Sequence, residues 1–291
     1  MMPVLGGGPA SSAETFPQQL AQSSGSVWCL DVSRNHVRRI SAWQCKGKVV
    51  SAEEAKRIKG SRFRRIKRSV SASKQKIFPG KRQRGSGTGF FVSIYGHVLT
   101  NEHVVSKCKA YSVTPSGRPP LVAKLIAKDV NLDLALLKVN RVPLAVASFR
   151  EPLDLLPVEP IAVIGYPLRG RVTIKPVMEI GHMFFGRLKA TRADRFTMKI
   201  DVRRGNSGGP VLDAAGQIIG VVVATVNTPG VYAATGKYVD DVGIGIRQAT
   251  ALDFLKKHKV KVQKSPPGTP LTEADLLKKG AGFVSQIGCW K

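Results

Sequence analysis

Three residues of different chemical type sit at the ends of apolar runs, in an order that could carry out acyl transfer. His103 lies in LTNEHVV, Asp133 in NLDLALLKV and Ser207 in RRGNSGGPV. A serine hydroxyl is a weak nucleophile until an imidazole can take its proton. The imidazole in turn needs a carboxylate to fix its tautomer and stabilise its charged form. Gly205 permits a turn in which the backbone N–H groups of Gly205 and Ser207 point together at a developing oxyanion. Gly208 and Gly209 let the chain leave without a side chain over the hydroxyl. Each residue alone has a plainer use: Ser207 in a glycine-rich loop, Asp133 as a strand-end cap, His103 as a polar core residue. Their joint occurrence favours catalysis. His36, His97, His182 and His258 have no comparable setting and read as structural or exposed.

The elements that must position these residues are short. From Gly85 onward the chain alternates apolar runs with turn residues, beginning with TGFFVSIYGHVLTN as a hairpin turning at Tyr95-Gly96. LVAKLIAKD, LALLKV, IAVIGYP, VTIKPVMEIG, FTMKIDV and VGIGIR read as strands, and GPVLDAAGQIIGVVVATV as a hairpin over Ala214 to Gly216. Such spacing predicts an all-β barrel or pair of barrels. RQATALDFLKKHK is an amphipathic helix ending in basic residues. The tail after residue 262 reads as a proline-rich turn, a short helix capped by Thr272 and a last strand ending at Cys289.

The 291 residues carry 46 Lys and Arg against 19 Asp and Glu, a formal charge of +27. Residues 1–84 hold 18 of the basic and 4 of the acidic residues, so +14 of the excess lies in that segment. The segment divides into a flexible lead (1–26), a small Cys- and Trp-bearing segment (27–48) and a basic linker (49–84), with a basic amphipathic helix as the alternative for part of the linker. A field of this size attracts polyanions: nucleic acid, anionic lipid or an acidic cell surface. Cys29, Cys45, Cys108 and Cys289 lack the CxxC spacing of a zinc site, so no metal or other cofactor is expected. Four cysteines allow three disulfide pairings, among them Cys29 with Cys45 and Cys108 with Cys289. The first residues lack a basic n-region and an apolar core, which read literally predicts a soluble, cytoplasmic chain. A start assigned too far downstream would instead make it periplasmic or secreted.

GSGTGFFVSIYGHVLTNEHVV, DLALLKV, IGYPL, GNSGGPVLDAAGQIIGVVVA and VGIGIRQATALDFL together resemble the trypsin-like serine proteases, in particular the bacterial HtrA-like branch. The resemblance covers about residues 85–260, including the order His, Asp, Ser with gaps of 30 and 74 residues. It implies two packed six-stranded antiparallel β-barrels with a C-terminal helix. It also implies a protease domain over 85–262, a C-terminal extension over 263–291, and a catalytic cleft between the barrels. Carried over, His103 is the general base and then acid, Asp133 its orienting partner and Ser207 the nucleophile. Gly205 and Ser207 supply the oxyanion-hole amides. The implied activity is that of a serine endopeptidase acting on protein or peptide through an acyl-enzyme. The alternative is a protease-like scaffold that binds polyanions through its basic N-terminal region with little or no catalysis.

The departures from the family pattern are informative. About 30 residues follow Lys261, too few for the PDZ-like module of full HtrA proteins. Residue 206 is Asn where zymogen-activated relatives have an Asp that receives a freed N-terminus. Arg203 and Arg204 replace a Pro or small residue. Asp201 lies six residues before Ser207, the offset at which trypsin-like enzymes place a pocket carboxylate that favours Arg or Lys. Val223, Thr225 and Gly243 are the expected pocket walls, and a valine and a threonine there favour small aliphatic residues instead.

Overall fold

Apolar runs of four to nine residues, broken by glycine turns, are too short for helices and pair instead into antiparallel sheets. In the computed structural model, residues 26–58 are described apart from 32–35 and 42–44, and residues 77–291 apart from 153–155, 157, 169–174, 185–191 and 226–240. The reading of the basic linker as helix or partly ordered segment falls mainly outside these residues. The chain separates into two compact units, Met1–Ser69 and Val70–Lys291.

In the N-terminal unit, β1 (Ser26–Asp31) pairs antiparallel with β2 (His36–Ser41) and with β3 (Lys48–Val50), and a helix follows over 52–58. Val37, Val50 and Ala55 form its small core, and a disulfide joins Cys29 to Cys45. So little apolar area is marginal by itself, and the cross-link compensates by limiting the unfolded chain.

The larger unit holds two closed barrels. The first contains β4 (Gln83–Phe91), β5 (His97–Thr100), β6 (Ala110–Pro115), β7 (Leu121–Asp129) and β8 (Leu134–Val139). Beyond it lies β9 (Ser148–Arg150). The second contains β10 (Pro160–Gly165), β11 (Val177–Phe184), β12 (Arg195–Lys199), β13 (Pro210–Asp213), β14 (Ile218–Thr225) and β15 (Val242–Arg247). Its order is β13-β10-β11-β12-β15-β14, and the β13–β14 pairing closes it. β9 and β16 (Gln263–Ser265) are added at one side.

The strand that completes the first barrel comes from the far end of the chain. β17 (Val284–Trp290) inserts between β4 and β6, pairing Gln286 with Thr88 on one side and with Thr114 on the other. All seven of its residues are buried. The segment expected as an extension beyond the protease domain thus supplies a barrel strand. The physical reason is that an open first barrel would leave β4 and β6 with unpaired backbone edges. A second disulfide, Cys108–Cys289, ties this strand to the segment that follows β5.

Phe90, Leu99 and Leu136 of the first barrel share one core with Ile164, Leu212 and Val221 of the second and with Phe254 and Leu255 of the helix Gln248–Lys257. A separate cluster, including Met183, Phe196, Met198 and Val222, fills the second barrel. Thr272 caps the helix Glu273–Phe283, its hydroxyl accepting from the Asp275 N–H at 3.2 Å.

Two predictions follow from this packing. Because 181 residues separate Cys108 from Cys289, Cys289→Ser should lower stability by about 2–5 kcal/mol, measured by denaturant unfolding with and without reductant. His97, whose Nδ1 lies 2.7 Å from Ser93 Oγ, has its pKa lowered by burial and, next, by the Lys138 charge. The unfolded chain therefore takes up this proton more readily, and His97 contributes stability above about pH 6.5 that is lost as the pH falls through its folded pKa. His97→Gln should lose less melting temperature than wild type between pH 7.5 and 5.

Candidate active site

His103 sits in the short helix Glu102–Val105, immediately after β5, where Asn101 provides an extended N-cap. The neighbouring Glu102 is buried and takes Lys128 Nζ at 2.8 Å, which anchors this turn. Asp133 ends the tight turn into β8. Its carboxylate accepts from the His103 backbone N–H at 3.0 Å and lies 2.8 and 3.0 Å from His103 Nδ1 through its two oxygens. A carboxylate oxygen accepts, so this contact favours the tautomer of the neutral ring that carries its proton on Nδ1 and its lone pair on Nε2. The His103 side chain is 48% exposed and that of Asp133 17%. The imidazole is thus oriented by a sheltered partner and open to a reactant.

Ser207 belongs to the loop between β12 and β13, in the other barrel. The loop is pressed against the His103 segment: a Cβ added at Gly208 (φ +82°) would lie 2.3 Å from Thr100 Oγ1 and 2.8 Å from Asn101 N. Only a residue lacking Cβ allows that approach. The loop therefore lies against the segment that carries His103. Among the described residues, Ser207 Oγ makes no hydrogen bond to the His103 ring or to any other group. Such bonds commonly tighten only once substrate is in place.

The peptide planes around Ser207 are held one by one. Arg204 O accepts from the Leu168 N–H at 2.6 Å, Asn206 O from the Gly209 N–H at 2.9 Å and Ser207 O from the Thr88 N–H at 2.9 Å. Gly205 O accepts from Thr88 Oγ1 at 2.6 Å. In a trans peptide the N–H points opposite to the preceding carbonyl. Fixing Arg204 O and Asn206 O therefore fixes the directions of the Gly205 and Ser207 N–H groups. Neither of these two N–H groups has a protein acceptor among the described residues. Gly205 has φ +100°, the left-handed region expected for this turn. Asn206 is fully buried with its side-chain amide unpaired among the described residues, where a carboxylate would be a buried unpaired charge.

Thr88 is the contact that sequence reasoning missed. It is fully buried, and its hydroxyl also accepts from the Tyr166 N–H at 3.0 Å, while its carbonyl accepts from Thr100 Oγ1 at 2.7 Å. The sequence offers little signal for it, since Ser86 is likewise a hydroxyl residue between two glycines of the same strand.

The residues expected to shape a substrate pocket lie in the second barrel, on β14, on β15 and just after β12. Asp201 is 36% exposed and paired with Arg203, whose Nε donates to its Oδ2 at 2.7 Å. Val223 falls at the bulge in the β14–β15 register and packs partly buried against the shared core. Gly243 is buried facing Val202 and Met198, and pairs with Thr225. Among the described residues no group of three or more His, Cys, Asp or Glu could hold a metal ion. No described helix is long and apolar enough to cross a membrane.

Residues 87–221 match the family model of the trypsin-like peptidase domain. Just under half of the chain is thus similar to the trypsin-like peptidases. It is 32% identical over 206 residues to the uncharacterized protein y4bJ of Sinorhizobium fredii, covering 70% of this chain and 32% of that protein. It is likewise 32% identical over 209 residues to a probable periplasmic serine endoprotease, DegP-like, of Bartonella henselae, covering 68% and 40%. The chain thus spans about a third to two fifths of the length of these relatives. The crystal structure of the serine endoprotease from Yersinia pestis superposes with a TM-score of 0.51 at 22% identity, covering 60% of this chain and 57% of that one, a likeness of fold.

Thr88→Val keeps the shape but leaves Gly205 O and the Tyr166 N–H buried without their partner. It should cost about 1–3 kcal/mol of stability in denaturant unfolding, and Thr88→Ser should recover most of it.

Proposed function

We propose that the chain is a serine endopeptidase that cuts protein or peptide through an acyl-enzyme, with His103, Asp133 and Ser207 as the triad. The observation that carries the reading is the His103–Asp133 pair, which engages Nδ1 and leaves Nε2 to act as the base, beside the loop that bears Ser207. Ser207 Oγ attacks the scissile carbonyl while His103 Nε2 takes its proton, and Asp133 stabilises the imidazolium. The tetrahedral oxyanion is received by the N–H groups of Gly205 and Ser207, which have no acceptor among the described residues. His103 then returns the proton to the leaving amine, and water, activated by the same ring, releases the acyl group from Ser207. The peptidase family and the endoprotease relatives favour this chemistry over other acyl transfers.

For the residue before the scissile bond, the reading that fits best is a small aliphatic side chain. Arg203 already neutralises Asp201, so this carboxylate offers little to a substrate Arg or Lys. Profiling with a peptide library should enrich Ala and Val over Arg and Lys before the cut, and Asp201→Ala should leave the profile unchanged. A basic preference lost in Asp201→Ala would overturn this assignment.

The catalytic reading is tested with a fluorophosphonate, which reacts with an activated serine. Wild type should be labelled, labelling should vanish in Ser207→Ala and His103→Ala, and Asp133→Asn should slow it by about ten-thousand-fold. A folded wild-type protein that is not labelled would rule the proposal out.

A further inference from the structure

Arg195 begins β12 in the second barrel, paired with Ile246 of β15. Its side chain is only 9% exposed. A guanidinium in such a place costs desolvation that an apolar residue would avoid, so its contacts matter. They reach toward the first barrel: Nη2 donates to Leu132 O at 2.8 Å. Nη1 lies 3.7 Å from Asp194 Oδ2, too far for a hydrogen bond, and has no hydrogen-bond partner among the described residues. The charges that act on Arg195 are Asp194 and Asp133, with Arg192 as the like charge.

Leu132 immediately precedes Asp133, and Asp133 has φ +57°, a left-handed conformation that side-chain-bearing residues adopt reluctantly. The peptide planes on both sides of it are held by side chains. Leu132 O is held by Arg195, and Asp133 O by Asn101 Nδ2 at 2.8 Å. Asn101 comes from the segment that carries His103, whereas Arg195 comes from the barrel that carries Ser207. The turn that aims the carboxylate is therefore fixed from both walls of the cleft.

We propose that Arg195 is a positioning residue, a clamp from the second barrel that holds Asp133 in its left-handed turn so that its carboxylate meets the His103 ring. This rests on the reading of His103, Asp133 and Ser207 as the triad. Arg195 touches no reacting atom. It acts through the Leu132 carbonyl and through the positive charge it presents to the Asp133 carboxylate, and it couples that geometry to the docking of one barrel on the other.

The test is the second-order rate of fluorophosphonate labelling of the full chain, well below the melting temperature of each variant. Arg195→Met, similar in length and uncharged, should label about ten- to hundred-fold more slowly than wild type. Arg195→Lys, which keeps the charge, should recover part of the loss. In an Asp133→Ala background, Arg195→Met should have no further effect, because there is no carboxylate left to aim. A residue that only supports the fold would slow labelling equally in both backgrounds, and that result overturns the clamp. A wild-type rate in Arg195→Met overturns it as well. Should Arg195→Met fail to fold, the same cycle run with Arg195→Lys decides between these outcomes. Absence of labelling in the folded wild type removes the triad reading and the clamp together. Labelling that depends on Ser207 but not on Arg195 removes the clamp alone.

Discussion

Thr88 is the point on which the cleft is assembled. One buried residue of the first barrel gives its N–H to Ser207 O and its hydroxyl to Gly205 O, while its hydroxyl and carbonyl accept from Tyr166 and Thr100. These contacts bring together the strand before the His103 segment, the loop that bears Ser207 and the end of β10. In the interior each such bond is strengthened by the low dielectric, and each would leave a costly unpaired group if broken. The arrangement leaves little freedom for the peptide planes around Ser207. The Gly205 and Ser207 N–H groups have no acceptor among the described residues, while the carbonyls of the same peptide units are already in use.

β4, the strand of Thr88, is in turn held by the far end of the chain. β4 has β5 on one side only over Phe90 and Phe91, and its other edge is covered along its length by β17. The same β17 is bonded through Cys289 to Cys108, just past the helix of His103. Formation of the first barrel therefore waits on residues nearly two hundred positions away. This is a contact of high sequence separation, in which the entropy of loop closure must be overcome before pairing rewards it. The cleft and the chain terminus are energetically one system.

Much of the fold was legible from local pattern. Short apolar runs with glycine turns at Gly96 and Gly216 became β4–β5 and β13–β14, and RQATALDFLKKHK became the helix Gln248–Lys257. These elements follow from period and turn chemistry, which act over a few residues. The partner of the last strand was not legible. A buried run such as VSQIGCW fits any open edge, and only barrel closure decides which edge it takes. The offset of Asp201 from Ser207 likewise carries no information that Arg203 will fold back onto it.

For the candidate site, the sequence by itself determined the chemical types: an imidazole, a carboxylate and a hydroxyl at strand ends, and glycines where the backbone must turn left-handed or be approached closely. Those are properties of individual residues and of their immediate neighbours. Tertiary structure alone decided what holds them. Thr88 and Arg195 look like an ordinary strand threonine and a surface arginine in the chain of letters. They become the supports of Ser207 and Asp133 only when two barrels meet. A hydrogen bond spanning 117 or 63 positions has no local signature, since its donor and acceptor are brought together by packing rather than by spacing.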